Sequence, residues 1–499
     1  MSPTAVDRRP RTSSATVRTG GQASPDLLRW TGFGGVLLLT AAAWVGVASS
    51  SAVAATASLA AGVAGVGVLV LAWALLGRFV LAGRPRPTER GLKRTLTLWC
   101  APLLVAPPLF SRDVFSYLAQ GEVAARGLDP NAVGPATGLG AVSEIVERVG
   151  GYWRDTPSPY GPLFGAVERA IAGVSAGNPV VGVLAHRLVE LLGLLLVVWA
   201  VPRLATAAGA SRRVALWLGV LNPLVLWHLV AGVHNDSLML GLMLAGTAVA
   251  LEALRDRVEW WPFLAGVALI ALGAQVKLPA LVALAVVATA LARRRGGSIG
   301  DFLLAGTGMV AVFAAVSVAV SLTTGLGFGW VRALGTSGLV NSWMAPTNWF
   351  GFLTGGIGSL VGAHITQTMI GVGKALGSVL AVGGIAVVLH RQWRGRFDAV
   401  TSLGMMTGVV VVLGPVVQPW YLLWALVPLA ASGLPARALT RLTGLVVVFA
   451  VLVPPLAGDF SGRVGQLVAG YAIGIALVGA VYLLLRTTGA VDERQGSLV

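Results

Sequence analysis

Long apolar runs separated by short polar stretches organise this chain. They fall near 31–54, 58–82, 95–110, 179–204, 212–232, 237–253, 261–276, 279–292, 301–322, 367–389, 398–416, 420–432, 442–457 and 465–485. A membrane span needs about 20 apolar residues, and lipid cannot satisfy an open backbone, so each run is expected to be a helix. The pattern predicts an all-α integral membrane protein, a polytopic bundle of about 13–14 transmembrane helices. Two larger loops, 111–178 and 323–366, interrupt the runs. The expected organisation is a disordered cytoplasmic tail over 1–29, a transmembrane domain over 30–486 and a cytoplasmic tail over 487–499.

Composition sharpens this picture. Of the 499 residues 56% are hydrophobic and 11% charged, against roughly 25% charged in soluble proteins. That excludes a soluble enzyme, a secreted disulfide scaffold and a disordered chain. Sixty-six glycines without a three-residue period exclude collagen. The net charge of +16 is expected from Lys and Arg gathered in loops on one membrane face, not from nucleic-acid binding. Cys100 is the only cysteine, which removes an intrachain disulfide and a cysteine-based metal site. Alternation from an inside N-terminus puts Arg84 to Arg94, Arg212 and Arg213, Arg255 and Arg257, Arg293 to Arg295, Arg391 to Arg396, and Arg437 and Arg441 all inside. Segments 111–178 and 323–366 then face outward, as do the turns His234-Asn235-Asp236-Ser237, Lys277-Leu278-Pro279 and Gln418-Pro419-Trp420-Tyr421.

Candidate chemistry sits on that outer side. Helical spacing puts Asp113, Ser116, Tyr117 and Gln120 on one face at the start of the first outer segment. Asp113 is a candidate general base; the plain alternative is a helix N-cap. The turn 234–237 offers polar groups to a phosphate or sugar, or simply caps the following helix through Asp236 or Ser237. Lys277 precedes a helix start, where the dipole disfavours a cation unless an anion joins it, so a lipid phosphate is the leading ligand. Arg187 and Glu190, three residues apart inside a span, are expected to pair with each other. Tyr160, Trp343, Trp349, Gln418, Trp420 and Tyr421 are candidates for lining a lipid or acceptor passage, beside the alternative of an interfacial aromatic belt. No P-loop, nucleophile elbow or HExxH motif is present, which argues against ATP and nucleotide sugars.

The runs RDVFSYLAQGEVAARGLDPNAVGP, WRDTPSPYGPLF, HNDSLMLGLMLAG, VKLPALV, PTNWFG and QPWYLLWALVP, in that order over about residues 95–430, resemble the mycobacterial-type α-1,6-mannopyranosyltransferases of the GT-C superfamily. The resemblance implies a polyprenyl-phosphate mannose donor and a lipid-anchored mannan acceptor. It also implies assembly of the α-1,6-mannan backbone of lipomannan and lipoarabinomannan in the plasma membrane, with the active site on the outer face. Asp113 matches the family's first-loop acidic residue, the catalytic base. The other residues are assigned by chemistry. An inverting displacement needs one base and a cation or N–H donors for the leaving phosphate. Lys277 and His234-Asn235-Asp236 are the candidates, with Arg332 behind them. A divalent metal could bridge the phosphate to Asp113 or Asp236, but the sequence defines no ligand set and no cofactor is predicted. The alternatives are another sugar or acceptor on the same fold (an arabinosyltransferase or a protein O-mannosyltransferase), or a transporter or flippase using Arg187, Glu190 and Lys277 as pathway charges.

Overall fold

The computed structural model describes residues 25–49, 51–82, 86–333, 335–456 and 463–487. Arg84 and the two expected tails, apart from residues 25–29 and 487, lie outside the described residues. Each apolar run overlaps a helix. In chain order the principal ones are α1 Pro25–Ala48, α2 Ala52–Leu81, α3 Glu89–Leu103, α4 Asp113–Ala125, α5 Pro162–Ser175, α6 Pro179–Ala207, α7 Asp236–Glu252 and α8 Trp260–Ala274. They continue with α9 Leu281–Arg295, α10 Ile299–Thr324, α11 Pro346–Leu360, α12 Thr366–Trp393, α13 Ala399–Leu413, α14 Leu422–Ala430, α15 Ala436–Leu452 and α16 Val464–Thr487. The protein is an all-α, multi-pass membrane protein. Among the described residues six helices are long and apolar enough to cross a membrane alone: α1, α2, α6, α10, α12 and α16. The segment Arg212–Ala231 makes a seventh only as a bent pair, broken by 60°. Several remaining apolar runs form shorter helices, and the segments 111–178 and 323–366 are themselves partly helical, holding α4, α5 and α11.

Local chemistry sets the boundaries. Asn178 caps α6 by accepting from the backbone N–H groups of Val180 and Val181, with Pro179 at the first helical position. Ser298 and Asp301 form a reciprocal capping box on α10. The bend within 212–231 falls at Asn222-Pro223. Proline removes a backbone donor, and the Asn222 side chain accepts from Leu224 N–H (2.8 Å) and donates to the Leu218 carbonyl (2.8 Å). The flanking turns, Leu216–Val220 and Val225–Ala231, are π-helical. Trp73 and Trp217 stack at 5.0 Å, and each indole N–H donates to the other residue's carbonyl, fixing α2 against this broken segment.

Two ends of the bundle differ in chemistry. Arg212 pairs with Glu89 (3.0 Å), Arg294 donates to the Asp256 carbonyl, and Gly433 lies beside Ala210. A cavity of about 620 Å³ at this end is lined by Arg203, Arg212, Glu252, Arg255 and Asp398. The arginine clusters around 89–94, 203–213, 255–257 and 293–295 therefore share one end. The other end is reached by following α6 back from Arg203 to Glu190, about 20 Å at 1.5 Å per residue.

At that second end α6 and α7 touch backbone to backbone. A Cβ on Gly241 would lie 2.4 Å from the Gly193 carbonyl oxygen, and a Cβ on Gly193 would lie 2.4 Å from the Ser237 carbonyl carbon. Small residues allow such approach between membrane helices. A Gly241→Val variant must separate α6 from α7. We expect a loss of about 1–3 kcal/mol of stability, read as a lowered unfolding temperature of the detergent-purified protein; an unchanged temperature would contradict the packing.

Candidate active site

Two strained turns build the site. After α3, Leu109 N–H donates to the Ala231 carbonyl (3.2 Å) and Phe110 N–H to the Pro455 carbonyl (3.1 Å). Phe110 takes φ +63°, and Val233, just before His234, takes φ +56°. A bulky or β-branched residue in the left-handed region is a genuine outlier that costs of order 1–3 kcal/mol and persists only where its surroundings impose it. Phe110 is held by stacking on Trp227 at 5.3 Å, and it meets His228 edge-on at 5.7 Å. The turns deliver Asp113 and His234 to the same place, with His234 Nδ1 3.4 Å from Asp113 Oδ2.

Asp113 is the first residue of α4, and Arg112, not Asp113, occupies the N-cap position. The N-cap alternative is thus set aside. Ser111 Oγ accepts from the Asp113 N–H (3.1 Å). The Asp113 side chain keeps only 20% of its surface accessible. Burial pushes its carboxyl up to about 6; Ser111 and the Lys277 ammonium pull the other way, and Asp236 adds to the rise.

Asp236 and Lys277 form the second pair. Lys277 Nζ donates to both carboxylate oxygens (2.9 and 3.1 Å), and the Trp424 indole N–H donates to Oδ1 (2.6 Å). The anion that Lys277 requires is therefore supplied, in the first instance, by the chain itself. The ammonium faces the rings of Tyr421 (4.6 Å), Trp424 (5.5 Å) and Tyr160 (5.9 Å). Trp420 lies against His234 at 3.7 Å, and Tyr421 stacks on Trp424 at 4.1 Å. Tyr160 arrives because Gly161 packs onto the chain before Lys277: a Cβ there would lie 2.3 Å from the Gln275 carbonyl oxygen. Tyr117 meets Tyr160 edge-on at 5.5 Å, and Gln120, one turn along α4, is buried with its amide 3.4 Å from Ser116 Oγ.

The cap on α7 differs from either capping alternative. Its N-cap residue is Asn235, without a side-chain bond, and the buried amide of Asn235 has no protein partner. Ser237 donates to the Glu190 carbonyl (2.7 Å), and Glu190 Oε2 accepts from the Leu238 N–H (3.0 Å). Glu190 therefore caps α7 from the neighbouring helix. This corrects the expected Arg187–Glu190 pair. Arg187 instead donates to the carbonyls of Leu104 (2.6 Å), Val230 (3.3 Å) and Ala231 (3.5 Å). A carboxylate at a helix N-terminus and a guanidinium at two chain breaks each satisfy stranded backbone groups, which same-helix pairing would leave bare.

Other candidates stand apart. Arg332 is exposed on the short helix Gly329–Ala333, and no hydrogen bond or ion pair joins it to this cluster among the described residues. Trp343 (64% exposed) and Trp349 (52% exposed) pair with each other, the Trp349 indole donating to the Trp343 carbonyl (2.7 Å), rather than with the cluster. Gln418 starts the turn Pro419–Tyr421, and its carbonyl accepts from Tyr421 N–H (3.0 Å). Three members escaped the sequence reading. Ser111 borders the run that opens at Arg112, Trp424 lies inside the run QPWYLLWALVP without standing out from it, and His228, a buried imidazole in an apolar run six residues before His234, was the available signal. Among the described residues no group of three or more His, Cys, Asp or Glu side chains is arranged to hold a metal ion.

Residues 27–293 match the family model described as the N-terminal domain of alpha-(1->6)-mannopyranosyltransferase, and residues 347–485 match the MptB C-terminal domain. The chain belongs to the α-(1→6)-mannopyranosyltransferase family. It is 46% identical over 397 residues to a probable alpha-(1->6)-mannopyranosyltransferase of Mycolicibacterium smegmatis, covering 75% of this chain and 71% of that one. An alpha-(1->6)-mannopyranosyltransferase of Mycobacterium tuberculosis is 43% identical, with the same coverages of 75% and 71%. Alpha-(1->6)-mannopyranosyltransferase A of Corynebacterium glutamicum is 31% identical over 85% of this chain and 87% of its own. No solved structure matches. The family models reach both sides of the cluster, since Asp113, His234, Asp236 and Lys277 lie in the first match and Trp420, Tyr421 and Trp424 in the second.

The Asp236–Lys277 pair yields a stability test. Lys277→Met strands a buried carboxylate, and breaking such a pair from one side costs about 3–5 kcal/mol. Replacing both partners by apolar residues, Lys277→Met with Asp236→Leu, should recover most of that loss. Thermal unfolding of the two variants and of Asp236→Leu closes the cycle. Equal destabilisation of the single Lys277 variant and the double variant would mean that the pair is not coupled.

Proposed function

We propose that the protein is an inverting mannosyltransferase. It moves mannose from polyprenyl-phosphate mannose to the 6-hydroxyl of a lipid-anchored mannan acceptor, and so makes the α-1,6-mannan backbone of lipomannan and lipoarabinomannan. The observation that carries this reading is the convergence of one mostly buried carboxylate, Asp113, with one aromatic-clad cation, Lys277, in a chain of this family. The donor is a β-linked mannosyl phosphate and the product linkage is α, so a single in-line displacement suffices. Asp113 takes the proton of the acceptor hydroxyl as that oxygen bonds to the anomeric carbon. The bond from that carbon to the phosphate oxygen breaks, and the phosphate departs as a stable anion, needing no general acid. Lys277 has three N–H donors and directs two at Asp236, which leaves one for that anion. The rings of Tyr160, Tyr421 and Trp420 offer apolar faces to a pyranose or a prenyl chain. Against the transport reading, two of its three pathway charges, Arg187 and Glu190, are engaged with backbone groups.

The base assignment is tested with purified protein, synthetic polyprenyl-phosphomannose and a short α-1,6-mannoside. Asp113→Asn keeps the size of the side chain but cannot take a proton, and transfer should fall by at least about 10²-fold with folding and donor binding retained. Wild-type transfer should rise as pH increases through about 6, because Asp113 must be a carboxylate and burial holds its proton to that pH. A flat profile from pH 5 to 8, or an active Asp113→Asn protein, refutes the assignment.

The same reading puts the cluster on the outer face of the plasma membrane and the arginine-rich end in the cytoplasm, supported by the separation of the two ends along α6 and by the preference of Lys and Arg for the cytoplasmic side. In a Cys100→Ser background, a cysteine at Arg90 should resist an impermeant maleimide in intact cells, and one at Asn131 should react. Labelling at position 90 reverses the orientation.

A further inference from the structure

The cluster holds more than the proposed base and cation. His234 is fully buried and lies flat against Trp420 at 3.7 Å with the planes 26° apart; the His228 ring meets it at 5.8 Å, and the backbone N–H of His234 donates to the His228 carbonyl (3.1 Å). The strained residue Val233 precedes it, so backbone geometry as well as ring packing fixes the imidazole. Its Nδ1 lies 3.4 Å from Asp113 Oδ2, a contact just short of a formed hydrogen bond, and neither buried ring nitrogen has a hydrogen-bond partner elsewhere. Asp236 is held by Lys277 and Trp424, Lys277 directs two of its donors at Asp236, and neither is hydrogen-bonded to Asp113, so the orientation of the Asp113 carboxylate is left to another group.

We propose that His234 is a positioning residue for Asp113: its Nδ1–H engages one carboxylate oxygen and leaves the other for the acceptor hydroxyl. This rests on the transferase reading above and gives His234 a role other than donor binding. In the chemical step the acceptor O–H bond breaks and its proton passes to Asp113. The acceptor oxygen bonds to the anomeric carbon, and the electron pair of the breaking carbon–oxygen bond leaves with the polyprenyl phosphate. His234 gains and loses nothing in that step. It sets the direction of the carboxylate, and by donating an N–H it favours the charged form. The other groups facing Asp113 are Ser111 beside it, Tyr117 on its own helix α4, Tyr160, Asp236, Lys277 and Tyr421.

The test compares His234→Ala, His234→Gln and His234→Asn in the transfer assay over pH 5–9, with kcat and donor KM measured separately. Loss of the N–H donor makes Asp113 hold its proton to higher pH. The midpoint of the acidic limb should therefore move upward by about one pH unit in His234→Ala. Its plateau kcat should fall at least about tenfold through lost orientation, with donor KM within about twofold of wild type. Gln carries an amide N–H of similar reach and should return the midpoint toward wild type, whereas the shorter Asn should not. If His234→Ala does not yield a monodisperse protein, the Gln and Asn variants carry the comparison. An unmoved midpoint with a raised donor KM would make His234 a donor contact and overturn the proposal. So would an equal loss of kcat in all three variants with no shift of midpoint, the mark of a purely structural role. Absence of transfer by the wild-type protein, or full activity of Asp113→Asn, would remove the transferase reading and this inference together. A midpoint failure with those two controls intact removes only the inference.

Discussion

A helix that stops within a membrane bundle strands backbone N–H or C=O groups where lipid offers no partner, and the whole cluster is arranged around that constraint. α7 begins inside the protein, and the Leu238 N–H of its first turn donates to Glu190 on α6. The chain breaks after α3 and before His234, and their carbonyls turn to Arg187. These two side chains face opposite electrostatic ends of different elements, the carboxylate at an N-terminus and the guanidinium at carbonyl ends, as the helix dipole favours. Once the backbone is satisfied from α6, the side chains of the turn itself are released from capping. His234 and Asp236 are then free to face Asp113 and Lys277.

The same economy explains the strain. Phe110 and Val233 sit in left-handed backbone one residue or a few before the groups that matter. Glycine would adopt these angles without cost, yet its lack of a side chain would also remove the contacts that enforce them. Phe110 stacks on Trp227, and Leu109 is hydrogen-bonded to Ala231, so the two turns brace each other. The Asn222-Pro223 break and its flanking π-helical turns direct the second half of that span into this contact. Strain at one turn is thereby opposed by packing at the other, and Asp113 and His234 are set as a unit rather than separately.

Much of this was visible in the chain alone because polar residues are conspicuous in an apolar sequence. Asp113, the 234–237 turn, Lys277 and the 418–421 turn stood out for that reason, and the structure brings their side chains or backbone into one neighbourhood. What failed were inferences that needed tertiary partners. The spacing of Arg187 and Glu190 suggests a pair, but spacing on one helix says nothing of the stranded groups on its neighbours. Aromatic content alone did not separate Trp420, packed on His234, from Trp343 and Trp349, which are exposed. Apolar runs gave helices throughout but not their lengths, since proline and turn positions cut several runs too short to span singly. The segments between runs are helical where caps and prolines allow it, as at Pro162 and Pro346.

The electrostatics suit the proposed role of Asp113 as a base near neutrality. A base must be charged when the acceptor arrives and must still want a proton, so its useful range lies close to the working pH. Burial alone drives a carboxyl upward, and a second carboxylate nearby drives it further. Asp236 is such a neighbour, but its charge is balanced by the ammonium of Lys277 and held by the indole of Trp424. The pair therefore acts on Asp113 in both directions, Lys277 lowering and Asp236 raising its proton affinity, while burial and the Ser111 hydrogen bond weigh more; the carboxyl is pushed up to about 6. Aromatic rings around Lys277 keep the cation in place without adding a further negative charge that would raise Asp113 again. On the proposed mechanism, a departing anion that drew Lys277 away would raise the proton affinity of Asp113 as the acceptor proton is transferred, because the ammonium is one of the groups that lowers it.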